Sequence, residues 1–387
     1  MTQQRIRAVF MRGGTSRALF FHAQDLPAPG PARDHILLAA LGSPDPYGRQ
    51  LDGLGGGISS LSKACIIGPS PRASAEVDYT FAQVDVKAPV VDYKGNCGNC
   101  SSAVGPFAID ERLVKLEHPG FTGETVVRIH NTNTRKLVVA HVPVKDGEAA
   151  VEGDFELAGV PGRGARIALD FLDPGGAGTG RLLPTGTPRE TLDGLEASLV
   201  DATNPVVFVR AKDVGLAGTE TPQAIDADRA LAARLEAIRV EAARRMGIPG
   251  SAAVPKIALV APPAPFAALD GVRYGPDGVD VVARVISMGN CHRAFALTAA
   301  MCLAVAARIQ GTVVSECASG AGSRLSQATH GPSRSGGPRS NDVRLGHPSG
   351  VLPIDATVGV RDGAPWAERV TVYRTARRLM EGHVRIP

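Results

Sequence analysis

Alternation of apolar and polar residues is the commonest pattern along the chain. Residues 5–11, 77–86, 126–130, 136–144 and 205–209 are rich in β-branched side chains. Many alternate with the period of two that turns one strand face to a core and the other to water. They predict half-buried, mostly antiparallel strands. Helical periodicity is scarcer. Residues 34–41 carry one short pattern, with Asp34 as candidate cap. Residues 227–246 carry the longest, rich in Ala, Arg, Leu and Glu, with Asp226 as candidate cap, Gly247 at the end and Pro249 just beyond. Two shorter helices are expected after Cys97 and after Cys291. The stretch 182–188 reads as a crossing between halves, and 331–342, crowded with Gly, Ser, Pro and Arg, reads as a loop.

The tripeptide Gly95-Asn96-Cys97 returns as Gly289-Asn290-Cys291. Each copy follows a strand-like run (90–93 and 281–286) and precedes a helical pattern of small residues (101–109 and 294–307). That shared context predicts two similar domains, at 1–184 and 185–387, with the last strands packing back on the first. The length agrees, because 387 residues exceed one ordinary core. Aromatics supply only 4% of residues, so both cores must rest on Val, Ile, Leu and Ala. The net charge of +4 is a mild excess that suits anionic ligands. With no basic run and few aromatics to stack bases, nucleic acid is not expected as a partner. The first residues lack the pattern of a secretion signal, and no apolar run is long enough for a bilayer. Six cysteines in such a chain predict reduced thiols and a cytoplasmic protein, with no membrane partner.

Four segments could carry chemistry. Cys97 sits in a turn of Gly and Asn just before a predicted helix, whose free N–H groups and positive dipole end would face it. Such a position lowers a thiol pKa and binds carboxylates; the alternative is a small buried hydrophobe. Cys100 completes a C-x-x-C that a zinc or redox site would use. No second pair supports zinc and no clear βαβ unit supports a redox dithiol, so Cys100 reads as packed inward. Lys63 follows Gly55-Gly56-Gly57-Ile58-Ser59-Ser60-Leu61-Ser62, which fits neither phosphate-loop pattern. It is either a surface charge or, wedged before Ala64-Cys65-Ile66-Ile67, a buried lysine usable as a base. Met11-Arg12-Gly13-Gly14-Thr15-Ser16-Arg17 reads as a carboxylate clamp or a basic hairpin turn. Further along, Ser287–Arg293 offers Met288, Cys291, His292 and Arg293, with His292 a capping or core residue on equal footing. Ser349 lies in the turn 346–350. Metalloprotease, EF-hand and serine-hydrolase motifs are missing from the sequence.

Taken in order, the stretches 11–16, 55–63, 78–84, 96–99 with 103–109, 183–186, 204–209, 287–294 and 347–350 resemble the PrpF family, whose members isomerise unsaturated di- and tricarboxylates. The resemblance implies an α+β fold like that of diaminopimelate epimerase: two similar domains, each a curved, mostly antiparallel sheet around a central helix, with the site in the cleft between them. It implies no cofactor and no metal, a small polycarboxylate as partner, and leaves a homodimer open. It pairs Cys97 with Lys63 as catalytic residues. Arg12, Ser16, Arg17, Ser62, Asn96, Gly98, Asn99, Met288, His292 and Ser349 are then candidate substrate contacts. Candidate substrates are 2-methylaconitate, 3-methylitaconate, aconitate and 4-oxalomesaconate. Arg17 stands where the family usually has Lys, and Cys100 and Cys291 stand where it is generally not Cys. The rival expectation is a two-thiol amino-acid racemase or epimerase using Cys97 and Cys291.

Overall fold

A computed structural model of the chain describes residues 3–248, 251–318 and 342–387. The predicted loop at 331–342 therefore lies outside the described residues, apart from Asp342. The chain divides into two compact units. One comprises Met1–Leu169 and Tyr373–Pro387, the other Asp170–Val372. The stretch 182–188 forms turns inside the second unit.

In the first unit, β1 (Gln4–Gly13) and β2 (Ser16–His22) form an antiparallel hairpin. Helix α1 (Pro31–Leu41) leads to β3 (Lys63–Pro69), which lies parallel to β2. Next, β4 (Val77–Val84) runs antiparallel to β3 and to the short β5 (Val91–Asp92). Helix α2 (Gly98–Asp110) crosses to β6 (Gly123–Asn131), parallel to β4, and β7 (Lys136–Lys145) returns antiparallel. The C-terminal strand Ala376–Ile386 pairs antiparallel with β1 along its whole length.

Helix α2 is buried from Gly98 to Ile109, so it is apolar or small on every side rather than striped. Small residues let the sheet close around it: a Cβ on Gly105 would lie 2.7 Å from Val142 Cγ2. Its polar side chains are satisfied locally. The Ser101 hydroxyl donates to the Cys97 carbonyl and that of Ser102 to the Asn99 carbonyl.

The second unit repeats this order. Strands Leu195–Ala202 and Asn204–Arg210 are antiparallel, and Lys256–Ala261 lies parallel to the latter. Val281–Ser287 is antiparallel to Lys256–Ala261 and to the short Asn290–Cys291, and parallel to Val343–His347, which pairs antiparallel with Gly350–Arg361. Helix Leu297–Arg308, buried except at its last residue, fills the place of α2. Each unit is thus a mostly antiparallel sheet with a central helix, the α+β architecture expected.

The strands fall where alternation put them, but three helix starts differ. Gly30 is the N-cap of α1, with Pro31 in its first turn; Asp34 is inside the helix and accepts from the Tyr93 hydroxyl. The long pattern falls on the second of two consecutive helices, Pro222–Ala227 and Arg229–Arg245. Asp228 caps the second, while Asp226 binds the backbone N–H of Cys291. No helix begins just after Cys291. That residue pairs with Ile286 in the short strand, and the helix starts at Leu297 with Ala296 before it.

The Gly-Asn-Cys repeat is therefore out of register with the structural one. Counted from the helix start, the partner of Cys97 is Ala296, and Cys291 lies five residues too early.

Candidate functional site

Cys97 is the N-cap of α2, in extended backbone conformation, and its Sγ accepts the N–H of Cys100 at 3.4 Å. The Ser16 hydroxyl, at the start of β2, lies 4.0 Å from the same sulfur. What brings them together is the turn between β1 and β2. A Cβ on Gly13 would lie 2.5 Å from the Asn99 carbonyl, and one on Gly14, at φ +52°, would lie 2.3 Å from Asn99 Oδ1. Glycines alone let this turn rest on the first turn of α2. Asn99 then bridges the two, donating to Thr15 Oγ1 at 3.1 Å and accepting from Arg374 Nε at 3.1 Å. Asn96 is held through its Oδ1, which accepts from Asn131 Nδ2 at 3.2 Å.

Lys63 is the first residue of β3 and only 7% exposed. Its Nζ donates to Gln83 Oε1 at 2.5 Å and sits 4.9 Å from the centre of the Phe81 ring. Gln83 is fixed in turn by donating to the carbonyls of Ser59 and Ser62. Among the described residues no carboxylate pairs with Lys63. The lysine is buried on a neutral amide and a ring face, close enough to Cys97 for its charge to act on the thiol. The alternative of a surface lysine is thereby corrected.

The Cys97 thiol behaves opposite to expectation. Its hydrogen bond with the Cys100 side chain and its burial push its pKa well above the usual thiol range, while Lys63 and the Cys100 N–H pull the other way and lose. Burial and the neighbouring Cys65 do the same to Cys100. The helix start does place an N–H on the sulfur, but two thiols packed together in a dry site favour protons over charge. Cys97 is thus held as the protonated thiol. No group of three His, Cys, Asp or Glu able to hold a metal occurs among the described residues.

The other first-unit candidates have mixed roles. Arg12 spends one guanidinium nitrogen on the carbonyls of Gly14 and Thr375. Arg17 lies over the Phe10 ring, and its buried Nε has no hydrogen-bond partner among the described residues. The Ser62 hydroxyl accepts from Gln50 Nε2. Gln50 also explains the glycine run: its Oε1 accepts the Gly57 N–H, and a Cβ on Gly55 would lie 2.2 Å from that same oxygen. The glycines approach a side chain of the protein itself.

In the second unit, Met288 (φ +55°) and Gly289 form the tight turn between strands. His292 Nδ1 accepts the Ala294 N–H in the loop before the helix and caps no helix, and the Ser349 hydroxyl donates to the Arg293 carbonyl. Cys291 sits in the apolar core, where burial and Asp226 push its pKa up to about 12.

Gln83, Asn131 and Arg374 were missed. Gln83 and Asn131 sit inside strands read only for alternation, and Arg374 lies 275 residues from its partner Asn99. A glutamine breaking the apolar run of β4 was the one available signal.

The duplicated α+β fold sets a thiol at the head of a buried central helix, and the relatives that this chain matches are named isomerases. The chain belongs to the PrpF family, whose model, described as "PrpF protein", matches residues 3–387. It is 44% identical to the 3-methylitaconate isomerase of Eubacterium barkeri, over 99% of this chain and 97% of the relative. It is 39% identical to the 2-methyl-aconitate isomerase of Shewanella oneidensis, over 100% and 98%. A solved structure of methylitaconate-delta-isomerase aligns with 43% identity and a TM-score of 0.75, covering 100% of this chain and 96% of that one.

Proposed function

We propose that this isomerase acts on an unsaturated di- or tricarboxylate by allylic proton transfer, with Lys63 as base and Cys97 as acid. The observation that carries the reading is a buried lysine without a carboxylate partner, held on Gln83 beside a thiol that burial and Cys100 keep protonated.

Lys63, as the base, takes a proton from the carbon allylic to the C=C bond. The electron pair left behind delocalises through the double bond into a carboxylate, giving a dienolate. The N–H groups in the first turn of α2 offset that charge without reorganising. Cys97 delivers its proton to the far end of the allyl unit, so the double bond moves. Rotation before reprotonation gives a cis–trans change instead. Lys63 returns its proton to the thiolate or to water to restore the resting state. Ser16, 4.0 Å from the sulfur, and the Asn96 and Asn99 amides shape the Cys97 side. Arg12 and Arg17, paired across the β1–β2 hairpin beside Ser16, are the candidate cations for a second carboxylate.

The substrate class comes from the relatives, one named for 3-methylitaconate and one for 2-methylaconitate at similar identity. The test is NMR in deuterated water with a panel of these acids, aconitate and 4-oxalomesaconate. Turnover with deuterium at an allylic carbon is expected. Turnover of none of them, or turnover with no solvent exchange under any condition, overturns the reading.

A further inference from the structure

Arg374 is 3% exposed and belongs to the C-terminal piece of the first unit. Its Nε donates to Asn99 Oδ1 at 3.1 Å, and its Nη1 donates to the Tyr373 carbonyl at 2.8 Å. Both acceptors are neutral. Among the described residues no carboxylate pairs with it, and burial alone pulls its pKa down to about 9. A buried cation without a counter-charge costs stability, and a cation against the start of a helix opposes the helix dipole. Folding alone would favour a neutral side chain at this position.

The contacts say what the guanidinium holds. Asn99 is the second residue of α2, and its other amide atom reaches Thr15, the neighbour of Ser16. The next residue, Thr375, accepts through its carbonyl from the Gly14 N–H and from Arg12, both at 2.9 Å. A Cβ on Gly14 would lie 3.0 Å from Arg374 Cδ. One buried arginine thus clamps together the start of α2, which carries Cys97, and the turn that carries Ser16.

We propose that Arg374 is a positioning and specificity residue: it fixes Asn99 and the Cys97 end of the site, and its unpaired charge makes that end selective for a carboxylate ligand. The proposal rests on Lys63 and Cys97 being the reactive pair. Two variants separate its parts. R374Q keeps a donor and loses the charge. R374K keeps the charge and cannot reach both acceptors. The probe is propane-1,2,3-tricarboxylate, which has no double bond to move, read as the rise in Tm it causes; the acid turned over by the wild type supplies kcat and KM.

For R374Q we expect a ligand-free Tm at or above wild type, a tricarboxylate shift cut by at least about half, and a KM raised about tenfold or more with a smaller change in kcat. For R374K we expect most of the ligand shift to remain and kcat to fall more than KM rises. If R374Q does not fold, R374K alone decides, because a purely structural arginine would leave its kcat unchanged in the folded fraction. An R374Q protein that melts below wild type yet keeps its ligand shift and KM overturns the proposal. If the wild type isomerises no acid of the panel but is stabilised by the tricarboxylate, and R374Q is not, then the reaction assigned above fails while the role of Arg374 stands.

Discussion

In the proposed reaction Lys63 and Cys97 divide the work of base and acid, and their variants should fail differently. Lys63→Ala removes the base, and general-base help is worth about 10²–10⁴-fold. Turnover should drop by at least that much with an unchanged circular-dichroism spectrum; near-normal turnover would remove Lys63 from the mechanism. Cys97→Ser keeps a donor of poorer acidity. Isomerisation should fall while Lys63 still exchanges the allylic proton with deuterated solvent, and loss of both together would place Cys97 on the base side. Cys291→Ala should stay active, since that thiol is packed in the second unit's core and stands in a short strand rather than at a helix start. An inactive but folded protein would revive the two-thiol racemase. At this scale the sequence singled out the proposed pair, because a glycine-flanked cysteine before a helix and a lysine before an apolar strand are local patterns. It could not disclose Gln83, Asn99's clamp or the sign of the Cys97 shift. Those depend on residues from other elements, and the helix-start argument omits the second thiol packed against the first.

Strands were the most legible elements, since a half-buried strand must alternate. Helix starts were less so. Asp34 and Asp226 look like caps, but Asp34 binds Tyr93 and Asp226 binds a strand N–H. The helix Leu297–Arg308 begins after Ala296 with no side-chain cap, so no residue type announces it. The repeated Gly-Asn-Cys then pointed to the wrong register, while the pairing order of the strands supplies the right one. The turn between β1 and β2 tests how tightly elements set the site. Gly14→Ala forces a side chain into positive φ, about 1–3 kcal/mol by itself, and pushes on Asn99 Oδ1. A lower Tm and lost turnover are expected even though neither reactive residue is touched. Wild-type activity in this variant would mean that the turn is free to move away from α2.

Across the whole molecule, thiols make stability depend on alkaline pH. Cys97, Cys100 and Cys302 are held well above the ordinary range, Cys291 at about 12 and Cys317 at about 11, each with burial among the causes. In the unfolded chain they ionise near about 8.5. Between those limits only the unfolded state gives up the protons, so stability is complete below about pH 8.5 and falls as pH climbs toward 11 to 12. Calorimetry from pH 8 to 11 should show a falling Tm, with a shallower fall when Cys302 is replaced by alanine. A flat profile would mean that the folded protein releases its thiol protons as readily as the unfolded chain does.

The first unit also has a consequence for synthesis. Its β1 pairs with the chain's last strand, and Arg374 and Thr375 hold the turn beside Cys97. Lys63 and Cys97 are made within the first hundred residues of this sequence, yet their surroundings wait until residues 374–386 have been added. A nascent chain therefore carries an unfinished sheet edge while the whole second unit is translated, and a chain broken short of Arg374 would keep both proposed reactive side chains and lack the strand and the arginine that hold them in place.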